Sequence, residues 1–228
     1  MVAIEILGGT GLVGSHVLQL ATKLSSVSHI TTFTRRAPKT QADKIEAVVE
    51  QDSDKWGDLI KAHKADVFVS AFGTTRKNAG SAENFTKIDY GINYEAAKAA
   101  KEAGISTFVI VSSIGASASS MFLYPSTKGK LEDDIIALGF PKTVILRPGL
   151  LLGEREVSKG AAEDTARAIF SRFKGTFLSK YMMSPVESED VAKCALYHAL
   201  QAPASETNPE VVIVSAENVI ADAKKYQG

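Results

Sequence analysis

The sequence has little cysteine, no long apolar run and no excess of charge of either sign. Its 228 residues include one cysteine, Cys194, which excludes an internal disulfide and favours a reducing compartment. No apolar run approaches the roughly 20 residues that a membrane-spanning helix needs. Lys and Arg total 26, as do Asp and Glu, so the net charge is zero. This balance argues against a nucleic-acid partner, which requires a basic surface.

Other signals are also missing. The first predicted strand begins at residue 2, so we expect no signal or transit peptide. There is no lipidation motif and no strongly basic amphipathic helix. Cys194 falls in an apolar helical pattern, which predicts a buried structural thiol. The histidines lack the spacing of paired metal ligands, so we predict no metal site; they are His16, His29, His63 and His198.

Apolar strands alternate with helical patterns along the first two thirds of the chain. This alternation predicts the α/β class, with a Rossmann-type, doubly wound parallel sheet in a single domain of residues 1–228. The predicted strands are 2–7, 29–34, 45–49, 66–72, 107–112, 143–147 and 211–215. The predicted helices are 12–24, 54–63, 85–103, 125–138 and 188–201. Gly104 and Gly139 stand where helices commonly end on a left-handed residue.

The regular alternation stops after Gly149. We interpret residues 150–190 as a small C-terminal subregion that faces the substrate, inserted in the single domain. A long surface excursion packed by its own aromatic residues is an equally good interpretation. A weak membrane-surface patch is a third, less favoured one. The aromatic residues concerned are Phe170, Phe173, Phe177 and Tyr181, with Arg167, Arg172 and Lys174 among them.

The most informative motif is a glycine-rich turn between the first strand and the first helix. It reads Gly8-Gly9-Thr10-Gly11-Leu12-Val13-Gly14, a G-x-x-G-x-x-G spacing. Such a turn lets the backbone approach a pyrophosphate, and the helix N-terminus beyond it offers free N–H groups. A purely structural turn is the alternative. The position between a strand and an amphipathic helix favours a dinucleotide site.

The end of the second strand predicts which dinucleotide binds. NAD-binding units carry an acidic residue there, about 20 residues past the glycines. Here Thr34 takes that position and Arg35 and Arg36 follow. Arginine pairs with a 2′-phosphate that a carboxylate would repel, so we predict NADP(H). Two solvated arginines at a loop start are the alternative.

Further residues are predicted to line the dinucleotide. Asp52 and Ser53 follow the third strand and are expected near the adenine. After the fourth strand, small residues let the backbone run beside the cofactor; this segment is Ala71, Phe72, Gly73 and Thr74.

A tyrosine and a lysine four residues apart carry the predicted chemistry. Pro125 suits the first turn of a helix, and that helix places Tyr124 and Lys128 on one face. An ammonium beside a phenol stabilises the phenolate, which makes the tyrosine a usable proton donor or acceptor. Ser113, or Ser112, ends the preceding strand and is predicted to orient a substrate carbonyl. Taken alone, this Tyr/Lys spacing is common by chance.

On these motifs the chain resembles the short-chain dehydrogenase/reductase superfamily, as an atypical, extended-type member. Longer stretches look like the Tat-interacting-protein oxidoreductases of animals and their fungal relatives. The supporting segments are Gly8–Gly14, Phe72–Arg76, Val111–Ser113, Phe122–Tyr124 with Lys128-Gly129, Ile145–Arg155 and Asp190–Ala192.

The resemblance implies NADPH binding, Tyr124 as proton donor or acceptor, Lys128 as its partner and Ser113 as substrate orienter. It implies that Asn93 helps hold the active-site geometry. It also implies that Pro148, Gly149 and Leu150 run past the nicotinamide. The fungal relatives are described as peripheral proteins of the mitochondrial outer membrane, on which we base the expected location. Two departures stand out: the serine precedes the tyrosine by only 11 residues, and the chain is shorter than a full extended-type enzyme.

We therefore expect an NADPH-dependent oxidoreductase that reduces a small carbonyl-type molecule. The alternative is a non-catalytic NADPH-binding regulator, but relatives of that kind often lack the tyrosine. A monomer and a homodimer are both compatible with the sequence.

Overall fold

The computed structural model describes residues 1–153, 185–205 and 207–228, and within them the predicted parallel sheet is confirmed. Seven strands form the sheet: β1 Val2–Leu7, β2 Val27–Thr34, β3 Ile45–Val49, β4 Val67–Ser70, β5 Thr107–Val111, β6 Lys142–Leu146 and β9 Glu210–Val214. Their order is β3-β2-β1-β4-β5-β6-β9 and every neighbouring pair is parallel. The strand order therefore reverses beside β1, and open α/β sheets bind ligands at the carboxyl ends of such strands.

Helices cover both faces of the sheet. They are α1 Leu12–Lys23, α2 Trp56–Ala62, α3 Arg76–Ala79, α4 Ala82–Thr86, α5 Asn93–Glu102, α6 Leu123–Ala137, α7 Ser188–Ala199 and α8 Ala216–Ala223. A 3₁₀ turn, Ser53–Lys55, leads into α2, and a π-helical segment, Lys87–Ile92, joins α4 to α5. None of the helices in the described part of the chain is long and apolar enough to cross a membrane.

Each face of the sheet has its own apolar core. Alternate strand residues such as Ile4 and Ile6 pack with α1, α7 and α8, whereas Leu7 and Phe33 pack with α2, α5 and α6. Both sets are fully buried, as expected for a parallel sheet covered on both sides. The polar ends of the strands are thus left to form the site.

The helix ends follow local sequence signals. Gly104 and Gly139 adopt positive φ angles of 83° and 66° after α5 and α6, so both predicted left-handed ends are confirmed. The predicted start of α6 was late, since the helix begins at Leu123 and Pro125 is its third residue. Proline is tolerated there because the first-turn N–H groups have no partner within the helix.

Two other expectations need correction. The predicted helix 85–103 is helical, but it begins at Ala82 and consists of α4, the π-helical segment and α5. The last helix, α8, was not predicted. Its buried residues, Ala216, Val219 and Ala223, follow a helical spacing over only two turns, which is too short a pattern to recognise.

Only the edges of the predicted 150–190 insertion are described. A short parallel pair, β7 Leu151–Leu152 with β8 Val186–Glu187, brings these edges together. The aromatic residues predicted to face the substrate or a membrane lie outside the described residues: Phe170, Phe173, Phe177 and Tyr181.

Candidate active site

The glycine turn forms a cradle with no room for side chains. Gly8 has a φ of 89°, and the Gly11 N–H donates to its carbonyl over 2.8 Å. A Cβ on Gly14, in the first turn of α1, would overlap that same carbonyl. A Cβ on Gly8 would lie 2.9 Å from the Ala71 carbonyl oxygen. The absence of these atoms lets α1 begin directly behind β1, with its free N–H groups at the sheet edge.

The end of β2 combines a buried hydroxyl with exposed arginines. Thr34 is buried, and its Oγ1 has no hydrogen-bond partner among the described residues. Arg35 and Arg36 are both exposed, and neither forms an ion pair within those residues. A buried donor without a partner is costly, so this edge of the site suits a polar ligand.

The loop after β4 runs beside the glycine turn. Ala71 faces Gly8, and the next peptide is tied to α5, because the Asn93 amide donates to the Phe72 carbonyl over 3.2 Å. Asn93 is fully buried and its Oδ1 accepts a hydrogen bond from Ser70. The structure thus places Asn93 as a brace for this loop.

The Lys128 ammonium lies beside the same loop. It is paired with an acidic residue that was not predicted from the sequence. Lys128 Nζ lies 2.8 Å from Asp89 Oδ1, and the two side chains are only 6% and 1% exposed. Asp89 Oδ2 accepts the Thr74 N–H over 2.8 Å. A Cβ on Gly73 would lie 3.6 Å from Lys128 Nζ. The buried ion pair therefore joins α6 to the loop that follows β4.

Tyr124 stands one helical turn before Lys128, at the surface. Its side chain is 42% exposed and its ring packs on Phe85 at 5.6 Å between centroids. The segment before it is fastened to α6, since Ser117 N–H donates to the Pro125 carbonyl over 3.0 Å. A Cβ on Gly129 would overlap the Ser117 backbone, so this segment and the helix are in direct contact.

The two candidate serines at the end of β5 have different surroundings. Ser112 donates its hydroxyl to Glu132, and Glu132 also accepts from Arg147, with 3.1 Å between Arg147 Nε and Glu132 Oε2. Glu132 holds the pKa of the Arg147 guanidinium above its ordinary value. Ser113 Oγ is buried and has no partner in the described part of the chain. Of the two hydroxyls, only that of Ser113 lacks a hydrogen-bond partner among the described residues.

The segment predicted to pass the nicotinamide lies next to Ser113. The Ile114 N–H donates to the Pro148 carbonyl over 2.9 Å, and the Val186 N–H donates to the Leu150 carbonyl over the same distance. Gly149 and Leu150 are partly exposed.

Asp52 and Ser53, predicted near the adenine, lie after β3. The Asp52 carboxylate caps the 3₁₀ turn by accepting the Asp54 N–H. Ser53 lines a cleft of about 430 Å³ between α2 and α5.

The missed residues, Asp89 and Glu132, have weak sequence signals. Asp89 precedes Asn93 by four residues and Glu132 follows Lys128 by four, so each shares a helix face with a predicted site residue. Acidic residues at such spacing are common on solvated helix faces, and only the fold shows that these two are buried.

Comparison with known proteins identifies the family. A family model described as NAD(P)H-binding matches residues 8–203, which is most of the chain. The chain belongs to this NAD(P)H-binding family. The predicted resemblance to fungal mitochondrial proteins is confirmed by the curated relatives, and the fold is that of a protein named as a short-chain dehydrogenase family member. The family does not distinguish NADP from NAD.

Curated fungal relatives match this NAD(P)H-binding protein over nearly their whole length. A protein named FMP52, mitochondrial, from Meyerozyma guilliermondii is 54% identical and covers 97% of this chain and 95% of its own. The protein of the same name from Candida albicans is 50% identical, with 94% and 95% covered. That from Aspergillus clavatus is 38% identical, with 89% and 88% covered.

Solved structures show the same fold at low sequence identity. MoeE5 in complex with UDP-glucose and NAD is 15% identical, with a TM-score of 0.67 over 98% of this chain and 81% of that one. WbmH from Bordetella bronchiseptica in complex with NAD⁺ is 18% identical, with a TM-score of 0.66 over 87% and 72%. A short-chain dehydrogenase family protein from Francisella tularensis is 11% identical, with a TM-score of 0.66 over 95% and 99%.

Proposed function

We propose that this protein is an NADPH-dependent oxidoreductase that reduces a small carbonyl-type molecule, with Tyr124 as proton donor. The observation that carries the proposal is the position of Lys128. Its buried ammonium lies beside Gly73, in the loop that runs along the glycine turn, one helical turn from Tyr124. This position supports a role for Lys128 beside a bound dinucleotide, with Tyr124 on the preceding turn of the same helix.

The described residues fit a dinucleotide. The cradle of Gly8, Gly11 and Gly14 leaves backbone groups open to a pyrophosphate, with Thr10, Leu12 and Val13 around it. Two buried hydroxyls that lack a partner among the described residues, Thr34 Oγ1 and Ser113 Oγ, lie at two strand ends of the same sheet edge. When bound, a reduced nicotinamide supplies a hydride to a polarised carbon.

Side chains of this protein would then donate the proton and orient the substrate oxygen. Ser113 Oγ donates a hydrogen bond to the substrate oxygen and fixes its direction. The Tyr124 hydroxyl gives its proton to that oxygen as negative charge develops there. Lys128 stabilises the resulting phenolate electrostatically, and Asp89 holds the lysine in place.

The cofactor choice rests on the end of β2. No carboxylate occupies that strand end, since Thr34 is its last residue and Arg35 and Arg36 follow it into solvent. A guanidinium forms charge-assisted hydrogen bonds with a phosphate, which favours NADPH over NADH.

Replacement of Tyr124 by Phe tests the mechanism, because it removes only the hydroxyl. We expect turnover of NADPH with a panel of aldehydes, ketones and quinones to be lost, with NADPH affinity nearly unchanged. Activity that survives in Tyr124→Phe would contradict proton donation by this residue. A wild-type protein that binds NADPH tightly and is inactive on the whole panel would favour the regulator instead.

We also propose a mitochondrial location at the cytosolic face of the outer membrane, held peripherally. The support is that the curated fungal relatives are named as mitochondrial proteins. Fractionation with a carbonate wash tests this. Release from mitochondria by carbonate fits peripheral attachment, whereas a protein found wholly in the cytosolic supernatant would refute it.

A further inference from the structure

A cluster of three metal-ligand side chains lies at the opposite edge of the sheet from the glycine turn. Cys194 and His198 are four residues apart on α7, and Asp222 belongs to α8. One ligand atom from each lies within 4.8 Å of the other two. Lys142, the first residue of β6, donates its Nζ to the His198 carbonyl, which places the cluster at the amino end of the strands.

We propose that Cys194, His198 and Asp222 form a binding site for a zinc-class divalent metal ion that joins α7 to α8. One thiolate sulfur, one imidazole nitrogen and one carboxylate oxygen are the donors that Zn²⁺ takes in tetrahedral sites. Zn–S bonds near 2.3 Å and Zn–N and Zn–O bonds near 2.0 Å put neighbouring ligand atoms roughly 3.3–3.6 Å apart. In the metal-free cluster the ligand atoms lie within 4.8 Å of one another, and His198 Nε2 and Asp222 Oδ2, at 2.8 Å, would have to move apart to admit the ion.

The surroundings are those of a prepared site. Cys194 is fully buried, and the His198 and Asp222 side chains are only 11% and 14% exposed. Asp222 Oδ1 accepts from Lys225 Nζ over 2.6 Å, which leaves Oδ2 facing His198 Nε2 at 2.8 Å. Outer groups of this kind orient the ligands of metal sites.

Binding would displace the thiol proton of Cys194, because a thiolate is the form of cysteine that ligates zinc. It would also replace the hydrogen bond between His198 Nε2 and Asp222 Oδ2 with bonds to the metal.

Cobalt titration of the tag-free full-length protein tests the proposal without any enzyme assay. The chain has one cysteine, so a cobalt–thiolate charge-transfer band can come only from Cys194. We expect this band in the wild type, saturating at one Co²⁺ per chain and displaced by Zn²⁺. At a hundredfold excess of free Zn²⁺ over its dissociation constant, the melting temperature should rise by about 5–10 °C.

Matched variants assign the ligands. Cys194→Ser should remove the band, and Asp222→Asn and His198→Gln should each weaken Co²⁺ binding at least about tenfold. His29→Ala, which removes a half-exposed histidine from the other side of the sheet, should bind like the wild type. Absence of the band in folded wild-type protein would overturn the proposal. So would Zn²⁺ binding and stabilisation that persist unchanged in Cys194→Ser. This inference does not depend on the proposed reductase activity.

Discussion

The buried Lys128–Asp89 pair allows a quantitative prediction about Asp89→Asn. Asparagine keeps the shape of the side chain and can still accept the Thr74 N–H through its amide oxygen. It leaves the Lys128 ammonium, which is only 6% exposed, without a counter-charge. Breaking one side of a buried pair costs about 3–5 kcal/mol. We expect the free energy of unfolding to fall by that amount.

Urea unfolding at neutral pH, followed by circular dichroism, measures this loss. The matched control is Glu95→Gln, which breaks the exposed Glu95–Lys98 pair and should cost about 0.5 kcal/mol or less. The double variant Asp89→Asn/Lys128→Met removes both partners and should recover part of the loss, since no buried charge remains. The reasoning is refuted if Asp89→Asn is no less stable than Glu95→Gln.

Three further predictions concern the cofactor edge and the core. Arg35→Ala should weaken NADPH binding by roughly 1–3 kcal/mol and spare NADH in a calorimetric titration; equal losses for both would contradict phosphate recognition. Gly14→Ala should abolish NADPH binding in the same titration, because its Cβ overlaps the Gly8 carbonyl, and an unchanged affinity would disprove the cradle. Burial raises the pKa of Glu5 to about 7, although His63 partly opposes this. The protonated carboxyl therefore contributes stability that is complete below the unfolded pKa and is lost as pH rises through 7. From about pH 4.5 to 8 the wild type should lose about 3 kcal/mol more than Glu5→Gln in urea unfolding, and parallel pH profiles would count against this.

The sheet and the cradle could be predicted because their signals are local. An apolar strand followed at once by glycines, and glycines at helix ends such as Gly104 and Gly139, need no knowledge of distant residues. The start of α6 was predicted less well, because Pro125 is compatible with any first-turn position.

The polar contacts could not be predicted, because they join segments far apart in the chain. Asp89 meets Lys128 only after α6 packs beside the π-helical segment. Ser112 and Ser113 are indistinguishable as neighbours in a sequence, and the fold separates them by placing Glu132 against one. Cys194, His198 and Asp222 likewise come together only through the packing of α7 on α8.

The contact at Gly129 has a consequence for how the protein would respond to bound molecules. The stretch between Ser113 and Tyr124 is fastened to α6 at Pro125 and Gly129, so neither can shift alone. A bulky ligand that pushes this stretch outward would tilt α6 and move Lys128 away from the Asp89 carboxylate. The size of a bound molecule would thus affect the buried ion pair between Lys128 and Asp89.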